Sequence, residues 1–378
     1  MTLKKLIGKI HLYLGLVSGI VVLLVSLSGC IYVFEEEINL MLQTGVYRNV
    51  DPQQQEFITP GAIRQKVEEA FDSEITYMSA TVYPTGDRAS IIWVRDQNRK
   101  YTAFILNPYS GEIIDSYPYS TNFWAIILTL HTSLLIPGFG HHIVGVSTLI
   151  FVIMLISGLF LWFPKSKKGY KQRFRVKWGA SPKRLNYDLH NVLGFYMTWV
   201  VIFVAITGLV WSYQWVEDGV YWLASGGDQQ KELQMPLSDT TDIGGSSDAI
   251  DRALQQITTA NSKLRNYVLV YPGDSTAVYR ITLNYQEGAF YNQHDSYAID
   301  QYTGEILGSQ LWKETNMGDK LMEANYNIHV GAILGLPGKF LAFCASLIAA
   351  SLPITGFVVW RGRKKKKSKR LEQIIRKR

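Results

Sequence analysis

Two cysteines in 378 residues, Cys30 and Cys344, both inside apolar runs, give no disulfide framework and read as small packing residues. No acidic or basic side chain lies in the middle of a long apolar run, which counts against a proton- or ion-coupled transport path. The sequence holds no G-x-G-x-x-G, no flavodoxin-sized segment and no catalytic cluster in its polar stretches. The mean hydropathy of +0.03 is low for a membrane protein. Two long polar stretches, about 35–120 and 216–320, account for that by diluting the apolar ones.

What is present decides the class. Residues 10–34, 142–163, 191–215 and 339–360 are apolar runs, each long enough to cross about 30 Å of hydrocarbon, for which about 20 residues suffice. Lys4, Lys5 and Lys9 precede the first run, nine Lys/Arg and no acid fill 165–184, and eleven Lys/Arg against one Glu follow from Arg361. These three short segments hold 23 of the 38 basic residues, and the positive-inside rule places them, and both termini, in the cytoplasm. Away from them, 15 basic residues face 29 acidic ones, a net charge near −14. The overall +7 therefore points to the inner leaflet and not to nucleic acid. Leu27-Ser28-Gly29-Cys30 also matches a bacterial lipoprotein cleavage box. The run before it is long for a signal peptide and begins with a histidine, so an uncleaved span is expected.

The chain repeats itself over roughly 1–165 and 178–365. His11 precedes Gly15 by 4 positions and Gly29 by 18, and His190 precedes Gly194 and Gly208 by the same steps. His131 leads to Gly158 after 27 and Trp162 after 31, as His329 leads to Gly356 and Trp360. Each half starts on the cytoplasmic side and holds two spans, so the repeat is parallel, with its pseudo-twofold along the membrane normal. Equivalent residues then share a depth: His11 and His190 on the cytoplasmic side, His131 and His329 on the outer side. A lone histidine near a helix end is ordinarily an interfacial or capping group. Paired by the repeat, one neutral imidazole from each half suits the two axial positions of a haem, which predicts two haems, one per side. Gly15, Gly29, Gly194 and Gly208 would remove bulk where a macrocycle or a neighbouring helix approaches. His141 and His142 have no counterpart. Either would replace His131 as ligand, contact a haem propionate or stand at a substrate mouth. Trp124, Trp162, Trp211, Trp215 and Trp360 read as an aromatic belt, and His294 as a surface residue.

Each polar stretch reads as a small α+β unit. Thr59-Pro60 opens a helix to about Phe71, followed by strands at 75–83, 89–95 and 100–106 and a turn at Asn107-Pro-Tyr-Ser-Gly-Glu112. The second copy opens near Ser247-Asp248, with a helix to about Ala260, strands at 265–271, 277–284 and 296–300, and the turn Asp300-Gln-Tyr-Thr-Gly-Glu305. A helix, three strands and a closing (Asn/Asp)-x-x-(Ser/Thr)-Gly-Glu turn resemble the PepSY domain. Two such units between paired spans, with Ser/Thr-Gly-x-x-x-Trp at 157–162 and 355–360, are similar to the PepSY-associated transmembrane family over nearly the whole chain.

The expected fold is thus a membrane α-helical core of four transmembrane helices, a tandem parallel repeat of two, plus two α+β PepSY-like extracytoplasmic domains. Its parts are a first span at 10–34, a periplasmic domain at 35–120, and a periplasmic-side helix with the second span at 121–163. A basic cytoplasmic loop at 164–187 leads to the third span at 188–215 and a second periplasmic domain at 216–310. A periplasmic-side helix with the fourth span at 311–360 and a basic tail at 361–378 complete the chain. The resemblance implies an inner-membrane reductase of ferric siderophores or similar chelates carrying b-type haem, fed by quinol or a cytosolic donor, in a bacterial cytoplasmic membrane. The competing expectation is a membrane-anchored PepSY regulatory or binding protein, such as a peptidase inhibitor, without redox activity. A transporter is a third.

Overall fold

In a computed structural model, residues 1–164, 170–230, 236–240, 249–259, 263–285 and 293–375 are described. The expected opening at Ser247-Asp248 and part of the basic loop lie outside them. In chain order the elements are α1 (Leu3–Tyr32), α2 (Glu35–Leu42), α3 (Pro60–Ala70), β1 (Ile75–Val82), β2 (Ser90–Asp96), β3 (Tyr101–Leu106) and β4 (Ile113–Pro118). Then follow α4 (Phe123–Ser133), α5 (Gly140–Trp162), α6 (Pro182–Asp188), a π-helical turn at Leu189–Leu193, α7 (Gly194–Ser212) and α8 (Gln214–Ser225). The last are α9 (Ala249–Thr259), β5 (Leu264–Val270), β6 (Tyr279–Tyr285), β7 (His294–Ile299), β8 (Ile306–Gln310), α10 (Met317–His329) and α11 (Gly335–Ile375). The chain divides into two compact units, one of Met1–Phe34, Ile127–Val220 and Asn325–Arg378, the other of Glu35–Ile126 and Tyr221–Ala324.

The first unit is helical. Four stretches, Leu3–Leu42, Gly140–Trp162, Pro182–Ser212 and Ala332–Arg363, are long and apolar enough to cross a membrane. Large apolar side chains such as Val17, Phe203 and Ile354 stay on the outside, as lipid permits and water would not. The packing runs in a ring, α1 against α5, α5 against α7, α7 against α11, and α11 against α1. Small residues set the spacing. A β-carbon on Gly19 would come 3.2 Å from Pro353, and one on Gly15 would come 2.7 Å from Met154. Leu155, Val201, Ala345 and Ala349 fill the centre.

The second unit is a single antiparallel sheet in the order β4-β3-β2-β1-β5-β6-β7-β8. Its two halves meet where β1 pairs with β5, Ser79 opposite Val270 and Val82 opposite Tyr267. The sequence suggests two separate bodies. The pairing instead removes two sheet edges that isolated halves would expose, and one core spans both. Ile63 and Val67 of α3 and Ile250, Leu254 and Ile257 of α9 pack on Ile92, Leu269, Ile281 and Leu283 of the sheet. Thr59 caps α3 through its side chain, accepting from Ala62 N at 3.3 Å, with Pro60 at the first helical position.

Each half has four strands where the pattern suggests three. The additional ones, β4 and β8, are edge strands whose side chains show no buried alternation, and that alternation is the signal a strand reading depends on. The turns before them are built alike. Asn107 Oδ1 accepts from the backbone N–H groups of Tyr109 and Ser110, and Asp300 Oδ1 from those of Tyr302 and Thr303. Gly111 (φ 67°) and Gly304 (φ 76°) take the left-handed position. Burial opposes ionisation of Asp300, but backbone donors from Thr303, Asp239 and Tyr302 outweigh it and hold the carboxyl below the usual range.

Candidate functional site

Four histidines of the helical unit share one seating. Ser28 Oγ on α1 donates to the carbonyls of Leu24 and Val25 (2.9 and 3.0 Å), which leaves its lone pairs to face His131 Nδ1 at 3.2 Å. The Val25 carbonyl, which can only accept, lies 2.8 Å from the same nitrogen. Thr207 Oγ1 on α7 donates to the Phe203 and Val204 carbonyls and meets His329 Nδ1 at 2.9 Å. Ser157 Oγ on α5 donates to Met154 O and meets His11 Nδ1 at 2.8 Å. Thr355 Oγ1 on α11 donates to the Ser351 and Leu352 carbonyls and meets His190 Nδ1 at 2.9 Å. A hydroxyl whose proton is committed to a helix carbonyl can only accept from the imidazole, so each ring carries its proton on Nδ1. The Nε2 lone pair is then left free, and its direction is fixed.

The residue after each hydroxyl is glycine, and its role is steric. A β-carbon on Gly29 would stand 3.1 Å from His131 Cε1, on Gly208 3.4 Å from His329 Cε1, on Gly158 3.5 Å from His11 Cε1, and on Gly356 3.1 Å from His190 Cε1. Gly29 and Gly356 therefore make room for the imidazoles themselves, while at Gly208 and Gly158 a β-carbon would make ordinary van der Waals contact. Gly194, against Leu352 at 3.5 Å, serves helix packing, as Gly15 does against Met154.

The His131 and His329 rings meet, with centroids 6.0 Å apart and their planes at 75°, while His11 is seated on α5 and His190 on α11. Two imidazoles holding one ion between their nitrogens stand roughly 6 Å apart, from metal–nitrogen bonds of about 2 Å plus the ring radii. His131 and His329 open onto a cavity of about 440 Å³ between the helices, within the roughly 300–1,000 Å³ range of cofactor and small-molecule sites. Its wall includes Gly29, Gly208, Phe151, Trp211, Tyr326 and His141, with no Asp, Glu, Lys or Arg among the described residues. Among those residues no group of three or more His, Cys, Asp or Glu gathers that could hold a bare metal ion. A donor set of two imidazoles suits a group that brings its own remaining ligands.

His141 and His142 open α5 and are both exposed, their rings 5.6 Å apart, and only His141 lines the cavity. His190 lies within the π-helical turn, a local widening that recurs at functional sites. Just before it, Asp188 is 2% exposed and ion-paired with Arg184 at 2.8 Å. One tryptophan departs from the belt reading: Trp162 is buried and stacks on Phe195. Trp211 is exposed and also stands edge-on to His329 at 5.2 Å. Trp124 donates to Asn39 Oδ1 within the sheet-bearing unit. His294 opens β7 and lies 3.7 Å from the Glu323 carboxylate, so it is not a bare surface residue. Ser157 and Thr355 stand in the sequence as the start of the Ser/Thr-Gly-x-x-x-Trp motif, while nothing local marks Ser28 and Thr207 as partners of a histidine. The signal that would find them is a Ser/Thr-Gly pair on each apolar helix facing a histidine.

The family model described as the PepSY-associated TM region matches residues 9–363. No curated protein matches the chain.

Proposed function

The chain belongs to the family of the PepSY-associated TM region, and on that premise we propose a di-haem membrane oxidoreductase that reduces a ferric siderophore or similar ferric chelate. The reading is carried by one observation: four imidazoles each have Nδ1 held by a Ser/Thr hydroxyl and Nε2 left free, and two of them, His131 and His329, meet at 6.0 Å. His131 with His329 would hold one haem and His11 with His190 the other. When bound, haem iron supplies one-electron reduction without an acid–base dyad. The protein's own residues fix the tautomers, orient the rings through Ser28, Thr207, Ser157 and Thr355, and keep the cavity apolar. Ferrous iron binds hard-oxygen chelators far more weakly than ferric iron, so reduction releases it.

We further propose that the two sequence halves form a parallel tandem repeat, each carrying one PepSY-like half of the sheet. The basic segments favour, by the positive-inside rule, a cytoplasmic His11/His190 end and cytoplasmic termini, with the polar stretches in the periplasm of a bacterial inner membrane. Electrons then enter from quinol or a cytosolic donor and leave on the opposite side. The acidic exported surface favours neutral or cationic chelates over anionic ones, an effect damped by salt. Haem-loaded protein in liposomes, reduced and then given ferric siderophores on the outer face, tests the activity. Reoxidation with ferrous iron caught by a chelator is the expected result. Haems that stay reduced across neutral, cationic and anionic ferric chelates would refute the substrate class.

A further inference from the structure

One buried donor in the helical unit has no partner among the described residues. Trp162 is only 3% exposed, and its indole Nε1–H has no hydrogen-bond partner among the described residues. Indole N–H is a donor only, and buried donors left unmade are rare enough to need a cause. Packing satisfies the ring on other sides. Phe195 of α7 stacks on it at 3.9 Å and 15°, and Phe163, Tyr170 and Phe174 meet it edge-on. An aromatic residue chosen for packing alone could be Phe, with no N–H to leave stranded.

Its place in the bundle connects it to the histidine pair His11/His190. Leu155, Gly158 and Trp162 form one stripe of α5, at steps of three and four residues. Leu155 packs in the bundle centre, Gly158 faces the His11 ring, and Trp162 lies one turn further along. Its stacking partner Phe195 follows the π-helical turn that carries His190. The same end is cationic. Lys4 Nζ donates to the carbonyl of Phe163 and Lys183 lies beside Gly362, while the buried carboxylate near His190, Asp188, is already paired with Arg184. The cavity at His131 and His329 has no such charges on its wall.

We propose that the Trp162 N–H binds a carboxylate oxygen of the macrocycle held between His11 and His190. This rests on the haem reading above. A buried donor with no partner among the described residues calls for an acceptor oxygen, and the nearby cations favour a charged carboxylate over a neutral carbonyl. Trp162 is thus a cofactor-binding residue at one site with no equivalent role at the other, and the two haems differ in the charge that compensates them.

The test uses the haem-loaded protein and Trp162→Phe, which keeps a ring to stack on Phe195. Loss of the donor leaves the carboxylate more negative beside the iron and favours the ferric state. The midpoint of the His11/His190 haem should fall by the equivalent of about tenfold, roughly 59 mV for one electron. The other haem, identified by its loss in His329→Ala, should keep its midpoint. Independently of any variant, the ultraviolet resonance Raman marker of the indole N–H should shift between haem-free and haem-loaded wild-type protein. A protein that takes up no haem refutes the parent reading. A two-haem protein whose midpoint and indole marker both stay put refutes this one. An unchanged midpoint with a raised KM for quinol would also overturn it, by placing the oxygen on a quinone.

Discussion

Replacing Thr207 by Val keeps the shape of the side chain and removes only the hydroxyl that accepts from His329 Nδ1 at 2.9 Å. The buried Nδ1–H then keeps the Val204 carbonyl as its remaining acceptor, and one hydrogen bond lost at a buried group costs about 0.5–1.5 kcal/mol. The carbonyl still holds the proton on Nδ1, but the ring loses one of the two contacts that set its direction. Groups that orient a ligating histidine are worth roughly 10- to 100-fold in affinity, and with one contact left the lower end applies. The expected outcome is an about tenfold weaker haem at the His131/His329 site and an unchanged one at His11/His190. Haem titration of apo-protein in detergent, followed optically and resolved into two binding steps, measures both. Thr207→Ser should restore most of the affinity, because the hydroxyl returns while the methyl does not. Equal weakening of both haems, or a change below about threefold in Thr207→Val, would refute the claim that hydroxyls seat the imidazoles.

Other perturbations read different parts of the same architecture. His11→Ala and His190→Ala should each abolish the same haem and spare the other, as difference spectra would show; loss of different haems would break the pairing. Gly29→Ala and Gly356→Ala put a methyl 3.1 Å from an imidazole carbon, and each should lower occupancy of its own site. Gly208→Ala, at 3.4 Å, should do less, and an order reversed from this would contradict the steric account. In the sheet-bearing unit, Asp300→Asn keeps one acceptor oxygen but turns an NH2 toward the Asp239 N–H that now donates at 2.8 Å, at a cost of about 1–3 kcal/mol. Because the folded Asp300 carboxyl titrates below its unfolded value of about 3.9, its stabilisation is full above that pH and fades as pH falls through the folded value. Thermal melts of wild type and variant should therefore diverge at neutral pH and converge toward pH 2; a constant gap would refute the assignment.

The sequence reads well where a feature is periodic or repeated. The four apolar runs, the strands at 75–83 and 265–271 and the Thr59-Pro60 helix start are all local patterns, and each has its counterpart in the structure. The pairing of β1 with β5 is invisible, because two strands 180 or more residues apart carry no local sign that they share an edge. β4 and β8 escape for a related reason: an edge strand with no buried alternation looks like a loop. At the site, His131 and His329 stand out by their repeat, but Ser28 and Thr207 do not. A serine or threonine inside an apolar helix most often bonds its own backbone, as both of these also do. Only the arrangement of helices reveals that the same oxygens face an imidazole 103 and 122 residues away. The burial of Trp162, likewise, depends on where α7 lies, and nothing in α5 alone sets it apart from a belt tryptophan.

The central claim is that two imidazole pairs hold two haems. Its most direct test is a visible spectrum of the purified full chain, oxidised and dithionite-reduced, with pyridine haemochrome quantitation. The account predicts low-spin six-coordinate b-type spectra and two haems per polypeptide. A colourless protein that also fails to take up added haem would contradict it and leave a membrane-anchored regulatory protein in its place.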